Sequence, residues 1–358
     1  MPVNFGLTFH FLKYEELYMK EDTVRWGILG TARIATRTVI PGMQRDQLST
    51  VSAVASRNKD SARQVAGQFG IPRYHGSYEA LLEDPGLDAV YIPLPNHLHV
   101  EWSRRALQAG KHVLCEKPLA LNTKDVLSLM EQRDRSGLKI GEAFMVHTHP
   151  QWTMAKSIVK SQKFGQLKVI QGFFSYFNRN AENVRNKYPM EEGGGSLWDI
   201  GCYLVHTGRF LFEEEPLRVI ALMDKDPEFR IDRFTSAIMQ FPSGQAVFTS
   251  STQVVPWQRV VCYGEKQRIE IAVPFNQPSE VPSILLRSEE VGPSGQSEEL
   301  LVPPINQYTV QANEFSRAVL ENGTVPVPLE DTLANTAVIK ALIRSVETKQ
   351  WEEPDTGV

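Results

Sequence analysis

Apolar and polar positions follow two rhythms that take turns along the chain from Val24 onward. VRWGILG is a short apolar run bounded by glycine, the pattern of a buried strand, and it leads into TARIATRTVIPGM, whose spacing suits the start of a helix. LSTVSAVASR, rich in β-branched and small residues, predicts a second strand. DSARQVAGQFGI predicts a helix ending near Gly70, DAVYIPLP a strand ending in prolines, HVEWSRRALQAG a helix ending at Gly110, and KHVLCEK a further strand. Strand and helix in succession predict a doubly wound parallel sheet, an α/β architecture. Further on, KVIQGFFSYF, PLRVIALMD, TSAIMQFPSGQAVFTSSTQ and QRVVCYGEKQRIEIAV predict long strands, several joined at PSG or GEK turns. They imply a second, α+β domain with an open, largely antiparallel sheet. The segment from Glu330 to Gln350 has apolar residues near helical spacing and reads as a packing helix.

The length of 358 residues agrees with two cores rather than one. With 42% hydrophobic and 22% charged residues and no repeat, the chain is ordinary for a globular protein. A formal net charge of −4 argues against nucleic acid or an anionic membrane as partner and favours a small molecule. Cys115, Cys202 and Cys262 are odd in number and far apart, in no metal-ligand spacing. They read as packing thiols of a cytoplasmic protein, and no metal is expected. FGLTFHFL near the start is too short for a secretory signal, His10 interrupts it, and KYEELYMKED follows it where a cleavage site should be. Residues 1–23 are therefore an extension ahead of the first domain, either an added start or an arm that packs on a neighbouring subunit.

The first strand-turn-helix carries the first chemistry. Gly27 lies in the strand, Gly30 makes the tight turn, and Ala32 and Ala35 take the later positions of the G-x-G-x-x-G/A fingerprint of a dinucleotide site. Gly30, Thr31, Ala32, Arg33 and Ile34 should hold the pyrophosphate at the helix N-terminus. An acidic residue at the end of the second strand would bind the ribose of NAD. Here Ser56 and Arg57 stand there, with Lys59 soon after and Arg33 in the turn itself, so the cofactor expected is NADP(H). Ligands lie at the carboxyl ends of parallel strands, which places Leu94, Pro95, Asn96 and His99 after one strand and Glu116, Lys117 and Pro118 after another against the cofactor.

GILGTARIA, PLPNHLH, CEKPLA, GEAFMVHTHPQ, GGGSLWDIGCY and PLEDTLANTAVIKALIRSVETKQWEE are together similar to the glucose-fructose oxidoreductase, inositol dehydrogenase and rhizopine-catabolism oxidoreductase family. Within it, EKP, EAFM with HPQ, and DIGCY most resemble the branch of NADP-dependent D-xylose dehydrogenases and dimeric dihydrodiol dehydrogenases. The resemblance implies a Rossmann domain over residues 24–147, a substrate-binding and oligomerisation domain over 148–358, and a homodimer or higher assembly formed by pairing of the open sheets. It makes Lys117 the catalytic lysine, Tyr203 the residue that exchanges the substrate proton, and Asp199, four residues before it, the group that orients substrate or lysine. The phenol titrates near pH 10 unless a cation lowers it, and Lys117 is the expected source of that field. Asn183 and Arg185 stand where relatives bind sugar hydroxyls. His147 replaces an arginine common in the branch, while His149, Pro150 and His206 read as structural. The implied reaction is hydride transfer between nicotinamide and a sugar or sugar-like carbinol. The alternatives are a sugar–sugar oxidoreductase that retains NADP, a reductase of ketosugars, and a non-catalytic NADP-sensing regulator.

Overall fold

The computed structural model describes residues 23–288 and 297–358; residues 1–22 of the extension lie outside them. Strands β1 (Val24–Leu29), β2 (Ser49–Ala55), β3 (Arg73–His75), β4 (Ala89–Ile92), β5 (His112–Glu116) and β6 (Ile140–Ala143) form one sheet in the order β3-β2-β1-β4-β5-β6. Every pairing in it is parallel. The order reverses between β1 and β4, and a crevice opens at such a switch point beyond the strands' carboxyl ends.

Local rules explain the connecting helices. Asn58 caps Lys59–Phe69 by accepting from the amides of Asp60 and Ser61, and Gly70, at φ 64°, ends it. The helix after β1 departs from a regular start: Ala35–Val39 is a π-helical turn that continues as the α-helix Ile40–Arg45.

The second sheet has eight strands: β7 (Leu167–Phe177), β8 (Arg218–Lys225), β9 (Asp232–Gln240), β10 (Gln245–Ser251), β11 (Gln253–Gly264), β12 (Arg268–Ile271), β13 (Ser283–Ser288) and β14 (Glu298–Val302). Their order is β14-β13-β12-β11-β7-β10-β9-β8, antiparallel except where β7 and β10 run parallel. One face packs on helices Pro150–Val159 and Cys202–Phe212 around Phe174, Tyr203, Leu204 and Phe248. The opposite face leaves Leu222 77% and Trp257 55% exposed.

The chain then returns to the first sheet. Helix Gln307–Leu320 brings Phe315 against Trp26 of β1, ring centroids 5.4 Å apart, and Thr309 Oγ1 donates to the carbonyl of Gly42 at 2.9 Å. Truncating such a buried aromatic costs roughly 3–5 kcal/mol, so this contact is a substantial part of the first core. Helix Leu329–Thr348, in the segment expected to be helical, is buried along most of its length. Among the described residues no helix is long and apolar enough to cross a membrane.

Candidate active site

The glycine turn after β1 fits a dinucleotide pyrophosphate. Gly30 holds φ 121°, and a Cβ there would meet Leu94 Cδ2 at 3.2 Å and approach the Tyr78 hydroxyl at 3.8 Å. Only glycine keeps this floor open. The helix that follows presents amides with no carbonyl four residues back to receive them. Arg33 and Arg57 are both exposed at this end of the sheet. Burial pushes the Tyr78 phenol upward, and the nearby positive charge of Arg57 partly offsets it. Ser56, next to Arg57, accepts from the amide of Asn58 at 3.2 Å.

Lys117 follows β5 directly, before a cis Lys117–Pro118 bond, and is 7% exposed. Its Nζ donates to the Asp199 carbonyl at 2.5 Å and to Asp199 Oδ1 at 3.3 Å. An ammonium has three donors, so one remains for a ligand. Asp199 comes from the second domain, in the π-helical turn Leu197–Gly201 that leads into helix Cys202–Phe212. Such turns recur at functional sites because they splay side chains out of regular register. The i, i+4 relation between Asp199 and Tyr203 therefore holds in a wider turn than an α-helix would give.

Asp199 is the electrostatic hub. Oδ1 also pairs with Arg185 Nε at 2.9 Å, and Oδ2 accepts from the Tyr176 hydroxyl at 2.5 Å. Burial pushes its carboxyl up, but Arg185 and Lys117 outweigh that and hold it below the usual carboxylate range. The Lys117 ammonium lies 4.8 Å from the centre of the Tyr203 ring, over its face rather than beside its oxygen. The hydroxyl of Tyr203 donates to Met145 Sδ at 3.3 Å. Burial, with Glu116 nearby, drives the phenol well above its ordinary value. The expected lowering by Lys117 is not what this geometry produces: the cation meets the π-face while the oxygen is buried against Met145 Sδ, with Glu116 nearby.

Other residues named from the sequence have their polar atoms engaged. Asn96 Nδ2 donates to the Gly193 carbonyl at 2.9 Å, and its Oδ1 accepts from Arg185 Nη1 at 2.7 Å, so the side chain joins the two domains. Pro95, just ahead, is the N-cap of the short turn Asn96–Leu98. His99 is fully buried between the carbonyls of Pro118 (2.8 Å) and Leu94 (2.7 Å), tying the two strand-end loops together. Glu116 accepts from the Tyr91 hydroxyl at 2.6 Å, and burial raises its carboxyl. Asn183 caps the turn Val184–Lys187 through the amide of Arg185, 2.9 Å away, while the Arg185 side chain turns into the site. His147 meets His206 at 3.4 Å, and His206 in turn pairs with Asp331 at 3.3 Å.

Sequence reasoning passed over Tyr176, Glu142 and Asp232. Glu142 Oε1 accepts from the amide of Leu119 at 2.8 Å and Oε2 from the Thr332 hydroxyl at 2.8 Å, bracing the loop that holds Lys117. Asp232 Oδ2 accepts from the Leu197 amide at 2.8 Å and from the Ser196 hydroxyl at 2.6 Å, which anchors the turn that carries Asp199. A buried aspartate on a strand and a glutamate inside EAFM were the available signals.

Residues 24–144 match the oxidoreductase family with an NAD-binding Rossmann fold, and residues 152–270 match the C-terminal domain of the same family. The chain belongs to the Gfo/Idh/MocA oxidoreductase family. An uncharacterized oxidoreductase of Rhizobium meliloti is 44% identical over 92% of this chain and 99% of its own length. The D-xylose 1-dehydrogenase (NADP(+)) 2 of Haloferax volcanii is 33% identical, over 92% of this chain and 99% of that protein. Among solved structures, a 3-ketoreductase from Actinomadura kijaniata in complex with NADP and TDP-benzene superposes with a TM-score of 0.84 at 27% identity, covering 90% of this chain and 98% of that one.

Proposed function

We propose that this family member is an NADP-dependent oxidoreductase that moves hydride between nicotinamide and a sugar or sugar-like carbinol. The observation that carries the reading is the convergence of Lys117, Asp199 and Tyr203 from two domains at the carboxyl end of β5. NADP(H), when bound, accepts or supplies the hydride. Gly30, Thr31, Ala32, Arg33 and Ile34 would hold its pyrophosphate, and Arg57 with Arg33 its 2′-phosphate. Leu94 and Pro95 would flank the nicotinamide half. The xylose dehydrogenase and the 3-ketoreductase support both the cofactor and the substrate class.

In this scheme the free N–H of Lys117 holds the reacting oxygen of the substrate and stabilises charge that develops on it. Tyr203 exchanges the proton with that oxygen, leaving Met145 when substrate enters. Asp199 fixes the ammonium, and Arg185 reaches the remaining sugar hydroxyls with the guanidinium N–H groups not spent on Asp199 and Asn96. Residues 24–147, completed by helix Gln307–Leu320 packed on their sheet, then serve as the cofactor domain, and the rest of 148–358 as the substrate and oligomerisation domain. A second copy would cover the exposed sheet face. The three buried thiols fit a reducing compartment, the cytoplasm.

One observation favours carbonyl reduction as the working direction. The Tyr203 hydroxyl, which donates only to the weak acceptor Met145 Sδ, and the N–H of Lys117 not spent on Asp199 offer two donors to an incoming carbonyl oxygen. A reductase acting on a ketosugar is therefore the second reading. NADPH absorbance followed against a panel of aldoses, inositols and ketosugars separates the two. Turnover is expected with NADP(H) and abolished in Lys117→Met while NADP still quenches protein fluorescence. Turnover with NAD alone, or full activity in Lys117→Met, overturns the assignment.

A further inference from the structure

Tyr176 is the one side chain of the Asp199 cluster for which the scheme above has no task. It lies next to the end of β7, a strand whose alternation turns Phe174 and Tyr176 toward the helical layer. The phenol is largely buried, and its hydroxyl donates to Asp199 Oδ2 at 2.5 Å. The other carboxylate oxygen carries both cations, Lys117 at 3.3 Å and Arg185 at 2.9 Å. The two oxygens of one carboxylate are thus assigned to separate duties, one to a neutral donor and one to the cations.

We propose that Tyr176 is a positioning residue for the reaction: by saturating Oδ2 it fixes the rotation of the Asp199 carboxylate, so that Oδ1 and the backbone carbonyl aim the Lys117 ammonium at the reacting oxygen. Physical reasons support this. A carboxylate with one unsatisfied buried oxygen rotates to share its partners, or draws in water, and each outcome loosens the lysine. Burial and the adjacent Asp199 charge both drive the Tyr176 phenol upward, so its hydroxyl stays a donor to Oδ2. The strand anchors the ring through its neighbours: Ser175 pairs with Ser251 of β10 and Trp257 of β11, and Phe177 pairs with Gln253 of β11, while Tyr176 itself lies at the register shift between them. Placement from a rigid element is what precise orientation of a catalytic group requires.

The inference rests on the proposed role of Lys117 and Asp199, and a double-mutant cycle separates the two claims. Tyr176→Phe removes one oxygen. It should lower kcat by roughly tenfold or more, the worth of a hydrogen bond to a charged group. NADP affinity, the KM for the sugar and the melting temperature should stay near their wild-type values, a split that a general packing defect would not produce. In Asp199→Asn, kcat should fall further, and adding Tyr176→Phe to it should change nothing. Wild-type kcat in Tyr176→Phe, or two losses that simply multiply in the double variant, overturns the inference and leaves the proposed function standing. Wild-type kcat in Asp199→Asn overturns the site assignment itself, and the role of Tyr176 falls with it. If Tyr176→Phe alone does not fold, the comparison of Asp199→Asn with the double variant decides the point: equal kcat supports the coupling and a further tenfold loss refutes it.

Discussion

Tyr203 experiences two pulls at the scale of a single side chain. Its ring face attracts the Lys117 ammonium while its oxygen is directed at a thioether, a weak acceptor that a substrate oxygen outcompetes. Tyr203→Phe should therefore leave NADP affinity intact and lower kcat roughly 10²- to 10⁴-fold, the range of a lost general acid or base; single-turnover absorbance at 340 nm (roughly, the NADPH band) reads it. Lys117 was legible because EKP closes a strand whose carboxyl end must face a ligand. The role proposed for Tyr203 comes from the resemblance of DIGCY to the family, since a spacing of four from Asp199 assigns no chemistry by itself. Tyr176 was not legible, since nothing along the chain announces that a strand residue 23 positions before Asp199 will end on its carboxylate. Asn183 has a structural task that its sequence did not announce: its Oδ1 caps a turn, a purpose asparagine serves well.

Individual elements carry strain and buried charge that the site depends on. Gly195 holds φ 92° immediately before the π-helical turn, and a Cβ there would sit on Asp232 Oδ1, the carboxylate that anchors that turn. Gly195→Ala should destabilise the fold by about 2–4 kcal/mol and lower kcat as well, measurable as a drop in urea midpoint alongside the assay. β6 ends near Glu142, whose carboxyl burial pushes up to about 7 against the pull of Leu119 and Thr332. A carboxyl raised in the fold favours folding most at low pH, and its contribution is lost as pH rises from 4.5 through about 7. Glu142→Gln should thus raise the melting temperature at pH 8 (about one unit past that midpoint) and change it little near pH 5, as scanning calorimetry would report. The alternation of strand and helix was readable because buried parallel strands must be apolar on both faces. The two π-helical turns were not, as apolar spacing over five residues does not distinguish a widened turn from a regular one.

Across the whole molecule, the eight-stranded sheet leaves one face to be covered. Leu222, Ile238 and Val247 line an apolar depression of about 570 Å³ on it. Exposed patches of this kind mark interfaces. Light scattering should give a dimer or larger assembly for the native chain, and Leu222→Glu should shift it toward monomer. A native monomer at micromolar (roughly physiological) concentration removes the proposed pairing. The open sheet was legible from the long strands and tight turns, whereas the return of the C-terminal helix to the first domain was not, because its apolar stripe names no partner. That return matters for how the protein is made. Every strand of the cofactor-side sheet has been synthesised once Ala143 is added, yet the face around Trp26 stays bare until Phe315 arrives at the other end of the message. Synthesis is therefore a race between translation of the second domain and capture of a half-dressed first one by other apolar surfaces. A transcript shortened before helix Gln307–Leu320 would yield aggregate in place of a free-standing nucleotide-binding fragment.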